Sequence, residues 1–99
     1  MPNFAIRLEL NGPPGSKIYE DVHTVLSNAG YERMILSDKG AWWKLPDGMY
    51  VGTSNRTSAC DEHDAIRPIV KSVWTDFELF VLQYTSSAWT GMTRLTPDS

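Results

Sequence analysis

The chain has 99 residues, 41% of them hydrophobic and 21% charged, with a net charge of −3. That balance is ordinary for one globular domain over residues 1–99 and excludes a disordered chain, while no apolar run reaches the roughly 18 residues that cross a bilayer. Mild acidity gives no long-range attraction for nucleic acid, whose binding rests on Lys and Arg neutralising phosphates, and no DNA partner is expected. The single cysteine, Cys60, rules out an internal disulfide. Together with an N-terminus in which no secretory signal is read, it points to the cytoplasm.

In Asn3–Gly12 the residues Phe4, Ile6, Leu8 and Leu10 alternate with Ala5, Arg7 and Glu9, the period-two pattern of a strand with one buried face. Gly12-Pro13-Pro14-Gly15 ends pairing, since neither proline can donate to a ladder. Ser16 is placed to cap a helix over Lys17–Ala29, on which Ile18, Val22, Val25, Leu26 and Ala29 form one apolar face. Gly30 is expected to stop it in a left-handed conformation. Tyr31–Leu36 reads as a second strand, Ser37–Gly40 as a hairpin turn and Ala41–Leu45 as a third strand. Pro46-Asp47-Gly48 interrupts it, Met49–Thr53 resumes extended, and the proline predicts an edge, a bulge or a bend there.

Thr57 or Ser58 is expected to cap a second helix running to about Trp74. Its packed face is read as Ala59, Cys60, His63, Ile66, Val70 and Val73. Pro68 predicts a kink or a break near Ile66–Arg67, because it removes a hydrogen bond and clashes with the preceding turn. Phe77–Tyr84 is apolar on both faces, which predicts a central or doubly covered strand. A short strand around Trp89–Met92 and a frayed tail, Thr96–Ser99, complete the chain.

The order is β-α-β-β-α-β with a short C-terminal strand. It predicts an α+β, ferredoxin-like four-stranded antiparallel sheet with both helices on one face. The other face would be bare in a monomer, with Leu82, Tyr84, Trp42 or Trp43, and Trp89 as candidates to lie on it. A homodimer that closes two such faces, or pairs its last strands, is the expected solution.

Few constellations carry chemistry. Cys60 and His63 stand at i, i+3 on a helix, but zinc wants four ligands and only His23 remains, so no metal and no cofactor is expected. His23, on the flank of the first helix near Tyr19 and Glu20, has the side chain whose unperturbed pKa suits a general base; the simpler reading is a histidine that is solvated or satisfied by a neighbour. Arg7 and Glu9 point away from the core with Arg33 on a neighbouring strand, either as cross-strand pairs or as a basic platform. In the second case tryptophans would stack on bases as in single-stranded nucleic-acid sites. Of Trp42 and Trp43, one is expected in the core and the other at the surface.

Several segments, taken together, resemble one family. They are Asn3–Leu10, Tyr19 with His23, Ala29-Gly30-Tyr31-Glu32-Arg33, Trp43-Lys44-Leu45-Pro46 with Tyr50, the Thr57-capped helix, and Ala88-Trp89-Thr90-Gly91. The chain is similar to the GhoS-like antitoxins of type V toxin–antitoxin systems, and in fold to the small ferredoxin-like nucleases of CRISPR adaptation. The resemblance implies a dimeric endoribonuclease, or RNA-binding protein, acting on a toxin transcript, with single-stranded RNA as partner. The CRISPR relatives hold a metal with an aspartate at the end of the first strand, where this chain has Leu10-Asn11-Gly12. Met49 also stands where the family pattern has a glutamate. The implied cleavage is therefore metal-independent, with His23 or Glu9 as base and Arg7, Arg33 or Lys44 as cation, and with Lys44, Trp43 and Trp89 contacting RNA. The alternative is a non-catalytic dimeric module that binds a protein partner through the open sheet face.

Overall fold

The computed structural model describes residues 1–95, so the expected tail Thr96–Ser99 lies outside the described residues. Strand β1 (Asn3–Leu10) is the axis of the molecule. It pairs antiparallel along its whole length with β6 (Phe77–Tyr84) and, on its other side, with β5 (Met49–Thr53). A two-residue strand, β2 (Tyr31–Glu32), closes that side, giving the sheet order β2-β5-β1-β6 with antiparallel neighbours throughout. Helices α1 (Ser16–Asn28) and α2 (Ala59–Lys71) pack on one sheet face. Phe4, Ile6, Leu8 and Leu10 meet Val22, Leu26, Ile66 and Val70 there in one core, the alternation of β1 being what aims the first four at the helices.

Both helix ends have local causes. Gly30 stops α1 with φ +93, a conformation open to glycine and costly for other residues. Ser58 caps α2, its Oγ accepting the Asp61 N–H at 3.1 Å. Gly15, rather than Ser16, stands at the cap of α1, without a side-chain hydrogen bond. Helix α2 runs without interruption through Pro68 and ends at Lys71 rather than Trp74. The proline sits in the last turn, where one lost bond is tolerated by a helix whose Ile66 and Val70 are fully packed. Glu62, and not Cys60, joins Ile66 and Val70 on the buried face.

The middle of the chain departs most from expectation. The extended run 31–36 divides at Arg33. Tyr31 and Glu32 pair with β5, whereas β3 (Met34–Leu36) pairs with β4 (Trp42–Lys44) in a separate two-stranded hairpin. The Leu45 N–H donates to the Arg33 carbonyl at 2.9 Å and marks the change of partner. Pro46-Asp47-Gly48 is a turn, closed by the Met49 N–H on the Pro46 carbonyl at 3.1 Å. It delivers Met49–Thr53 into the interior of the sheet rather than to an edge. The doubly apolar β6, expected to be central, is the edge strand. No strand forms at Trp89–Met92; instead Arg94 bridges to Trp43, and the Lys44 and Leu95 N–H groups bond to the Thr93 and Trp42 carbonyls at 2.8 Å.

The outer sheet face is consequently not bare. Cross-strand partners share a face, so Ala5, Val51 and Leu82 stand together there. The β3–β4 hairpin and residues 86–92 lie over them, enclosing an apolar cleft of about 400 Å³ with Ile35, Leu45 and Trp89 in its walls. Ala5 is buried as a result. Farther along, Phe80 remains 62% exposed. Neither Trp42 nor Trp43 belongs to the core. Trp43 is half-buried beneath the Arg94 guanidinium, 5.8 Å from its ring centroid.

Candidate functional site

The chemistry-bearing residues converge on the helix side of the sheet, at its β2 edge. A cleft of about 260 Å³ opens between α1, the end of β2 and the 44–48 segment, with Tyr19, His23, Arg33, Lys44, Asp47 and Tyr50 among its walls. Each has a local reason for its place. Tyr19 and His23 are one helical turn apart on the flank of α1. Tyr50 alternates inward from β5, with Ile6 of β1 as its register partner. Arg33 is placed by the switch of strand partner described above. The Asp47–Gly48 turn forms the rim, and Gly48 is required there. Its φ is +82, and a Cβ on it would stand 2.6 Å from the Leu8 carbonyl oxygen.

At the centre of this wall His23 Nδ1 lies 2.7 Å from Tyr50 Oη. Two tautomers satisfy the contact. With the proton on Nδ1, the imidazole donates to the phenol oxygen and leaves Nε2 as a free base. With the phenol donating to Nδ1, Nε2 carries the proton. Burial, and then the charge of Arg33, hold the His23 pKa below 6.5, against the weaker pull of Asp47 and Glu20. The ring is therefore mostly neutral at pH 7. Burial pushes the Tyr50 phenol up to about 12, so it keeps its proton. Lys44 Nζ lies 3.3 Å from Asp47 Oδ1, in a pair whose carboxylate is 98% exposed. Such a pair is worth little, and the ammonium is available to an anion that displaces Asp47.

Of the residues singled out in the sequence, His23, Arg33 and Lys44 come together here. Arg7 reaches the same rim from the opposite sheet face, its Nη1 donating to the Asp47 carbonyl. Glu9 stays exposed on that opposite face, with Glu78 as its register partner. Trp43 and Trp89 belong to the hairpin and to the 86–92 segment that cover the outer face. Tyr50 and Asp47 were missed as site residues. The inward register of Tyr50 was legible in the alternation of β5, but its partner lies 27 positions away on a helix.

Among the described residues there is no group of three or more His, Cys, Asp or Glu side chains that could hold a metal ion. Asn11 has structural partners: its side-chain amide donates to Asp76 Oδ1 at 3.1 Å and its carbonyl accepts from Trp74 Nε1 at 2.9 Å. No helix is long and apolar enough to cross a membrane. Neither a family model nor a curated protein matches this chain.

Proposed function

We propose that this chain is a GhoS-like antitoxin that binds single-stranded RNA in the His23 cleft and cleaves it without a metal. The observation that carries the reading is the His23–Tyr50 contact at 2.7 Å, in a wall shared with Arg33 and Lys44. A neutral, oriented imidazole supplies the base, and two cations in the same wall the charge stabilisation, for phosphodiester cleavage by an internal hydroxyl. His23 Nε2 takes the proton of a ribose 2′-OH as that oxygen attacks phosphorus. The P–O5′ bond breaks, and the departing oxygen takes a proton from solvent at the cleft mouth. The products are a 2′,3′-cyclic phosphate and a 5′-hydroxyl. Arg33 and Lys44 hold the non-bridging oxygens, and Tyr50 orients the imidazole, whose Nε2 is the base in the tautomer that donates from Nδ1 to the phenol oxygen.

The finer fold reading belongs with this proposal. A ferredoxin-like βαββαβ chain, with the β3–β4 hairpin inserted before its third strand, is supported by the sheet order β2-β5-β1-β6. A cytoplasmic homodimer joined through the β6 edge is supported by the exposure of Phe80 and Leu82 beside an edge with no strand partner among the described residues. The same exposure favours a second reading, a non-catalytic module that binds a protein there. Incubation with a mixed RNA pool in the presence of a chelator separates the two. Cleavage to cyclic-phosphate ends supports the first; neither cleavage nor salt-sensitive RNA binding leaves the second.

A further inference from the structure

The cleft does not end at His23. A second lobe, of about 300 Å³, shares His23, Arg33 and Tyr50 with the first and continues past them along Thr24, Ser27, Asn28 and Glu32. The two lobes lie in series beside α1, one flanked by Tyr19 and the other by Ser27. The eight-residue step along the helix from Tyr19 to Ser27 advances about 12 Å, room for two successive nucleotides of an extended strand. The lobes differ in chemistry. The first offers Tyr19, exposed enough to stack on a base. The second offers hydrogen-bonding side chains, and one of them is already set: Ser27 Oγ donates to Glu32 Oε1 at 2.8 Å.

Building on the proposed ribonuclease reading, we infer that the Ser27–Glu32 lobe is a base-reading subsite that selects a nucleobase bearing an amino or amidine-type donor, and rejects uracil. A carboxylate only accepts hydrogen bonds. With Oε1 held by Ser27, Oε2 is left to accept from the exocyclic amine of cytosine or adenine, or from the donor edge of guanine. Uracil presents two carbonyl oxygens on either side of one N–H, so its oxygens would meet the carboxylate unfavourably. The Tyr19 lobe, by contrast, stacks on any base, since every base has a π-face. The scissile phosphate lies where the lobes meet, against Arg33 and His23.

The test is a set of short single-site RNAs carrying each of the four bases on either side of the cleaved step. Wild type, Glu32→Gln, Ser27→Ala and Arg33→Ala are compared by kcat/KM. On one side only, the wild type cleaves A, C and G sites about tenfold faster than U sites. Glu32→Gln, whose carboxamide can also donate, brings U to within about twofold of the others. Ser27→Ala, which releases the carboxylate, weakens the preference, and Arg33→Ala lowers all four rates alike. Cleavage with equal rates for all bases on both sides, or a preference that Glu32→Gln and Ser27→Ala leave unchanged, overturns the subsite while leaving the ribonuclease reading intact. Absence of both cleavage and salt-sensitive binding overturns the two together.

Discussion

His23 of α1 and Tyr50 of β5 join the helix layer to the sheet layer through a 2.7 Å contact between Nδ1 and Oη. Tyr50 is 3% exposed, so in the proposed site it acts through the imidazole that it holds. Tyr50→Phe is therefore expected to lower kcat on the order of tenfold with little change in KM, as loss of orientation does. Loss of the partner should also cost about 1 kcal/mol of stability. Steady-state kinetics and urea unfolding of the same variant check both halves.

The depressed pKa of His23 has a sign that unfolding can read. Burial and Arg33 keep the folded-state value below the 6.5 of the unfolded chain. Between those two values the unfolded state binds more protons, so stability rises with pH across the window and is lost as pH falls through the folded pKa. His23→Gln should flatten this dependence, measured as urea midpoints along a pH series. Cleavage by wild type should decline as pH falls through the folded-state value, below 6.5, because the imidazolium cannot accept the 2′-OH proton.

Gly48 is the position at which the cleft rim is least tolerant. An alanine there must adopt φ +82 and place its Cβ 2.6 Å from backbone oxygen, which a flexible neighbour cannot relieve. Gly48→Ala should cost about 1–3 kcal/mol and move the Asp47 carbonyl that Arg7 holds. Chemical denaturation gives the first effect. Gly40, where a Cβ would have no neighbour within 4 Å, should show a smaller loss from the same change, set by its positive φ alone.

The caps separate the two helices in the same currency. Ser58→Ala removes the acceptor for the Asp61 N–H and should cost about 1 kcal/mol. Ser16→Ala should be near neutral, because Gly15 occupies the cap of α1 and Ser16 already lies inside the helix.

Glu62 is a test of a buried charge. Its side chain is 3% exposed, 3.7 Å from an Arg56 that is half in solvent. Its Oε2 and the Tyr31 Oη are buried without a hydrogen bond of normal geometry. Burial, followed by the carboxylate's charge, raises the Tyr31 pKa well beyond that of a free phenol. Glu62→Met, similar in volume, removes the buried charge and an unsatisfied oxygen, and is expected to be neutral or stabilising by about 1 kcal/mol or more. Thermal melting decides it.

Much of this architecture could be read from residue order, and the failures share one cause. The β1 alternation, the apolar face of α1 and the Gly30 stop are local patterns, and each appears where its period places it. Period alone could not show that Tyr31–Leu36 changes partner at Arg33, because the extended run continues while the hydrogen-bonding neighbour changes. Pro46 allows an edge, a bulge or a bend; the chain takes the bend, a turn built on Gly48, and the pattern did not show that this turn carries it inward. The site suffered similarly. The residue types of His23, Arg33 and Lys44 mark them for chemistry, but the strand pattern points to the outer sheet face for the contacts. A pairing such as His23 with Tyr50 depends on two layers meeting, which no window of sequence contains. Glu62 is buried by its place one helical turn before Ile66, on the face that α2 turns to the sheet.

The most direct measurement is cleavage of a mixed single-stranded RNA pool by the purified chain with a chelator present, alongside folded His23→Ala and Arg33→Ala. The account predicts products ending in 2′,3′-cyclic phosphate, with His23→Ala slower by roughly a hundredfold or more and Arg33→Ala slower as well. Wild-type cleavage that both substitutions leave undiminished, or an RNA pool returned intact and unbound at low salt, would contradict it.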